Sequence, residues 1–105
     1  MNIDDLQRRL REFAAARDWQ PYQTPKNLAM AMVVEAAELV EIFQWLTPEE
    51  SAALRNDAAR QTHVGEEIAD VMLYLLQIAD QTGVDVSAAV ERKLALNALK
   101  YPSVR

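Results

Sequence analysis

Ile3, Leu6, Leu10 and Phe13 recur at spacings of three and four residues behind Asn2, with Asp4 and Asp5 in the first turn. This pattern predicts an amphipathic helix running to about Asp18, with Asn2 as its N-cap. Trp19-Gln20-Pro21-Tyr22-Gln23-Thr24-Pro25 then carries two prolines and suits a loop that ends in an N-cap threonine and an N1 proline. From Pro25 to about Trp45 apolar residues fall on nearly every side, as expected of a central helix covered by the others. Thr47-Pro48-Glu49-Glu50 restarts a helix with a cap, an N1 proline and a capping-box glutamate. Between Ser51 and Val64 the periodicity is weak, which predicts a short helix and a variable connection. Helical spacing resumes through Val64, Ile68, Val71, Leu75 and Ile78, giving a helix from about Thr62 to Gln81 with Gly83 as its C′ residue. Asp85 or Ser87 caps a last helix through Val90, Leu94 and Leu99, stopped by Pro102.

The pattern thus predicts an all-α domain of four main helices over residues 1–105, without repeats. Composition agrees, since the chain is 50% hydrophobic with only two glycines and four prolines. A chain of 105 residues suits one small domain burying roughly two-thirds of its unfolded surface. Eleven Lys and Arg against sixteen Asp and Glu leave a net charge of −5, which disfavours binding to a nucleic acid polymer. There is no cysteine, so thiolate metal sites and disulfides are excluded. The opening MNIDDLQRRL does not have the makeup of a secretory signal. Leu28 to Leu46 approaches the length of a membrane span, but its three glutamates would be costly in hydrocarbon. A cytoplasmic protein without membrane contact is the expectation.

Those glutamates are the chemical anomaly of the chain. Within VVEAAELVEIFQWL, Glu35 and Glu38 occupy adjacent turns of one helix face, with Glu41 displaced sideways. Glu67 and Asp70 repeat the three-residue spacing in GEEIADVMLYLL. If the two pairs face each other, desolvation and like-charge repulsion oppose the nest unless a cation is present, so a divalent metal site is the working hypothesis. In an arbitrary helical protein the same acids would pair with Lys26, Arg92 or Lys93. His63 is the sole histidine, is expected at the surface, and belongs to no Glu-x-x-His motif, which disfavours a ferritin-like di-iron bundle. A glycine-rich phosphate loop and a Ser or Cys nucleophile beside a histidine are both lacking.

Taken together, RDW (Arg17 to Trp19), PKNLAMAMVVEAAELVEIFQW (Pro25 to Trp45), EEIADVMLYLL (Glu66 to Leu76) and ERKLALNALKYP (Glu91 to Pro102) resemble the MazG-like all-α nucleoside triphosphate pyrophosphohydrolases, most closely the dCTP pyrophosphatase branch. One departure is Val34, where typical members carry a glutamate next to the first motif, although the dCTPase-like branch also lacks it. The resemblance implies that Glu35, Glu38, Glu67 and Asp70 hold Mg2+, with Mn2+ as a substitute, and that Glu35 and Glu38 take part in catalysis. It implies attack of water at the α-phosphorus of a nucleotide triphosphate, releasing a monophosphate and pyrophosphate, with dCTP or a modified pyrimidine deoxynucleotide as the expected substrate and nucleotide-pool housekeeping as the role. It also implies self-association to a dimer or a dimer of dimers, with active sites where subunits meet. For the organic part of the substrate, Trp19, Trp45 and Tyr74 offer aromatic faces for a base, Asn27 a polar contact, and Lys93 with Asn97 reach for phosphate and sugar or base. Glu41, Glu66, Lys100 and Tyr101 are weaker candidates. The alternatives are the same chemistry on dUTP or a damaged purine nucleotide, and a non-catalytic acidic helical module that binds a protein partner.

Overall fold

Side-chain caps decide where the helices begin. In the computed structural model, which describes residues 1–105, Asn2 accepts a hydrogen bond from the Asp5 amide and opens α1 (Ile3–Ala16). Thr24 accepts from the Asn27 amide and opens α2 (Pro25–Phe43), with Pro25 at the first position. Thr47 and Glu50 form a reciprocal capping box at the start of α3 (Pro48–Ala53). Asp57 caps α4 (Ala58–Thr82) through the Arg60 amide, and Asp85 caps α5 (Val86–Lys100) through the Ala88 amide. Each such cap satisfies an amide that the helix itself leaves without a partner. Short 3-10 turns at Gln20–Tyr22 and Leu54–Asn56 complete the connections. Gly83 ends α4 at φ 73°, a left-handed conformation that glycine adopts without steric cost, and the amide of Val84 bonds back to Ala79.

The four long helices expected from the sequence are present, together with the short α3, and the protein is all-helical. Two boundaries differ from expectation. The polar, alanine-rich stretch ahead of Thr62 is helical from Ala58, because the Asp57 cap and alanine propensity carry it without an apolar stripe. The loop expected after Trp19 contains a 3-10 turn.

Packing centres on α4. α2 lies along one side of it and α1 along another, and α1 is tied down by Gln7, whose Nε2 donates to the Leu76 carbonyl at 2.9 Å. Arg11 pairs with Asp80 at 2.7 Å, and Gln81 donates to the Gln23 carbonyl across the same seam. Ala14, Leu28, Leu54, Leu76 and Ala79 are the buried apolar residues, and Leu28, 1% exposed, is the one large side chain that is fully enclosed.

The expectation of a fully covered second helix is corrected. α2 buries one face against α4, while Met30, Val33, Val34 and Val40 on its remaining surface stay exposed. The cause lies in α5, which leaves the body after Gly83 and packs extensively on no other helix, so nothing within the chain covers that surface. Val90, Leu94, Leu96 and Leu99 of α5 are exposed in turn. No helix is long and apolar enough to cross a membrane.

Candidate active site

Glu35 and Glu38 project from α2 toward α4, where Glu67 meets them. One carboxylate oxygen from each lies within 4.8 Å of the other two. Their presence on facing helices follows from the three-residue spacing on α2 and from the α2–α4 contact that the apolar residues create. Glu67 is only 9% exposed, and its Oε2 is buried without any hydrogen-bond partner. Its Oε1 faces His63 Nε2 at 3.6 Å, one turn earlier on α4.

The electrostatics record the crowding. Burial, then the charge and hydrogen bond of Glu38, then the charge of Asp70 push the Glu67 carboxyl above its ordinary range, and His63 offsets this in part. Glu35 is raised for the same reasons, with burial first, Glu38 next, and smaller contributions from Asp70 and Glu67. Three acids gathered with one oxygen orphaned are costly alone and well suited to a hard divalent cation, which prefers oxygen ligands. The cluster can therefore hold a metal ion. Asp70 stands outside this triangle of oxygens but close enough for its charge to act on both Glu35 and Glu67.

Two cavities border the acidic residues, one touching Asp70 and the other Glu38 and Glu67. One, of about 160 Å³, is lined by Phe13, Trp19, Asp70, Leu73 and Tyr74 among others. Trp19 is steadied there by an edge contact with Phe13, ring centroids 5.6 Å apart, and the Arg17 guanidinium lies 3.4 Å over the Phe13 ring. The second cavity is larger, about 620 Å³, and brings Glu38, Glu41, Trp45, Arg60, His63 and Glu67 to one space. Trp45 is 87% exposed on its rim.

Of the residues picked from the sequence, Glu35, Glu38 and Glu67 come together, Asp70 stands beside them, and Trp19, Tyr74 and Trp45 line the flanking cavities. Asn27 does not reach either cavity; its Nδ2 donates to the Tyr22 carbonyl at 2.9 Å and fastens the loop to α2. Lys93 and Asn97 are likewise not brought to the carboxylates of their own chain. Lys93 borders a separate depression made only of α5 and its cap. Arg60 and His63, not picked from the sequence as site residues, line the larger cavity: His63 lies one turn before Glu67 within the expected helix, and Arg60 joins the same face because α4 begins at Ala58.

Residues 30–105 match the MazG-like family. The chain belongs to the MazG-like family. Its likeness to the dCTP pyrophosphatase branch is borne out by relatives: human dCTP pyrophosphatase 1 is 38% identical over 101 residues, 96% of this chain, and the Bos taurus protein of the same name is 37% identical over 100 residues. This MazG-like chain spans 59% of the length of each of those relatives. A pyrophosphatase from Archaeoglobus fulgidus DSM 4304 shares the fold with a TM-score of 0.83 and 44% identity, covering 95% of this chain and 92% of that one.

Proposed function

We propose that the protein is a Mg2+-dependent nucleoside triphosphate pyrophosphohydrolase acting in the cytoplasm on dCTP or a modified pyrimidine deoxynucleotide. The observation that carries this is the trio of Glu35, Glu38 and Glu67 with the buried, unpartnered Oε2 of Glu67. Membership of the MazG-like family and the names borne by the similar proteins add the substrate class.

Glu35, Glu38, Glu67 and Asp70 would hold the metal, with Mn2+ able to substitute. When bound, the ion neutralises phosphate charge and lowers the pKa of water. The chain's own part is to hold the carboxylates in place before substrate arrives, so that little reorganisation is needed at the reaction. A carboxylate of the cluster that the metal leaves free is suited to take the proton of the attacking water. Water adds to the α-phosphorus, the bond from that phosphorus to the bridging oxygen breaks, and the electron pair leaves with pyrophosphate. Trp19 and Tyr74 in the smaller cavity offer faces for the base, and Trp45 stands on the rim of the larger.

The same proposal includes self-association. The uncovered faces of α2 and α5 suit burial against a second copy, and Lys93 and Asn97, remote from their own carboxylates, would then serve a partner's site. A panel of nucleoside triphosphates with Mg2+, scored for pyrophosphate against orthophosphate, tests function and substrate together. Pyrophosphate release favouring dCTP, abolished by Glu38→Gln with helicity intact, is expected. Full activity in Glu38→Gln, or no release from any triphosphate, contradicts the proposal.

A further inference from the structure

The larger cavity has walls of opposite charge. Glu38 and Glu41 come from α2, while Arg60 and His63 line the same space from the first turns of α4. From Glu67, helical rise carries the chain about 6 Å back to His63 and about 10 Å back to Arg60, on one face. A cation-donor track thus runs away from the carboxylate trio along the cavity. Arg60 is not consumed by the fold: its single ion pair, Nε to Asp57 Oδ2, is long at 3.7 Å, and its side chain is 57% exposed. His63, equally exposed, faces Glu67 at 3.6 Å with one ring nitrogen only. An imidazole has an N–H to give in either protonation state, and a guanidinium presents a planar fork matched to phosphate.

The smaller cavity has a different character. It is small and lined by Phe13, Trp19, Leu73 and Tyr74, with no cationic side chain. A triphosphate lying across the carboxylates has an aromatic end and a polyanionic end; the smaller cavity offers aromatic faces and no cation, while the larger, which also holds Trp45 and the carboxylates of Glu38, Glu41 and Glu67, is the one with a guanidinium to offer. We infer that Arg60 and His63 form the subsite for the β- and γ-phosphates, binding the pyrophosphate that leaves. Resting on the hydrolase function proposed above, this assigns the substrate a direction across α2 and α4: base toward Trp19 and Tyr74, pyrophosphate toward Arg60. The bridging oxygen gains charge as its bond to the α-phosphorus breaks, and donors at that end stabilise the charge as it forms.

The test uses inorganic pyrophosphate and dCMP as probes. Each is titrated calorimetrically, with Mg2+ present, into the wild-type protein, the Arg60→Gln/His63→Gln variant and the Arg60→Lys/His63→Lys variant. Mn2+ affinity of all three is measured by electron paramagnetic resonance. The glutamine variant is expected to lose about tenfold or more in pyrophosphate affinity. Its dCMP and Mn2+ affinities stay at the wild-type values, and the lysine variant recovers most of the pyrophosphate loss. Unchanged pyrophosphate affinity overturns the assignment, as does an equal fall for dCMP or Mn2+, which would mean that the pair acts only by supporting Glu67. Pyrophosphate release by the wild type alongside unchanged affinity refutes this subsite alone; no release from any triphosphate refutes the proposed function with it.

Discussion

Replacing Glu67 with Gln keeps the side chain's size and removes one charge from the carboxylate trio. Without metal, the wild-type protein carries Glu35 and Glu67 in surroundings that disfavour their ionised forms. The metal-free Glu67→Gln variant should therefore melt at or above the wild-type temperature near pH 8. With metal the order reverses. A ligand that binds only the folded state stabilises it by about 2.7 kcal/mol at a hundred times its Kd. For a domain of this size about 1 kcal/mol moves Tm by roughly 4–8 °C, so the wild type should gain roughly 10–20 °C. Losing a coordinating oxygen weakens metal affinity at least about a hundredfold, and at the same metal concentration the variant's gain falls to roughly 3 °C or less. The assay is a thermal melt followed by circular dichroism, in EDTA and then in Mg2+ or Mn2+. A wild-type melt indifferent to metal, an equal gain in the variant, or a metal-free variant that melts below the wild type each refutes the reasoning. The first of these outcomes would favour an acidic interaction module over an enzyme.

Three further outcomes follow from particular side chains. Because the folded-state pKa values of Glu35 and Glu67 are raised, the folded protein binds more protons than the unfolded chain, so their share of metal-free stability is present below the ordinary glutamate range and lost as pH rises through the raised values. Glu50, lowered by its capping hydrogen bonds to Thr47, has the opposite dependence, so the wild type is compared with Glu35→Gln/Glu67→Gln in melts from pH 4 upward; the wild type's deficit should appear only as pH rises, and a constant difference contradicts the shifts. Leu28→Ala empties the one fully enclosed large site between the helices and should cost about 3 kcal/mol in denaturant unfolding, whereas a loss below about 1 kcal/mol would show that the site collapses without penalty. Val90→Glu/Leu94→Glu charges a free face of α5 and should convert an oligomer to a monomer in light scattering with helicity unchanged; an unaltered mass excludes that face from self-association.

Much of the fold was legible because caps are local chemistry. Asn2, Thr24, Thr47 and Asp85 each bond an amide three residues on, a relation visible in the chain itself. Periodicity was less informative where it was absent, and the first turn of α4 rests on Asp57 and alanines. Apolarity also names what prefers to be covered without naming the cover: α2 reads as a central helix, yet Val33, Val34 and Val40 lie open because α5 departs. At the site, the spacing of acids anticipated that Glu35, Glu38 and Glu67 come together, since helix faces are regular. The outward position of Asp70 and the retreat of Lys93 depend on how helices are disposed in space, which spacing does not carry. Arg60 lay outside the expected helix because α4 begins four residues before Thr62, whereas His63 lay within it, one turn before Glu67.

Hydrolysis of dCTP in ¹⁸O-labelled water with Mg2+, read by mass spectrometry, tests the central claim most directly, because the label marks the phosphorus that water attacks. The account predicts that label enters the monophosphate and that pyrophosphate leaves unlabelled. Label in the pyrophosphate, or orthophosphate as the product, contradicts attack at the α-phosphorus.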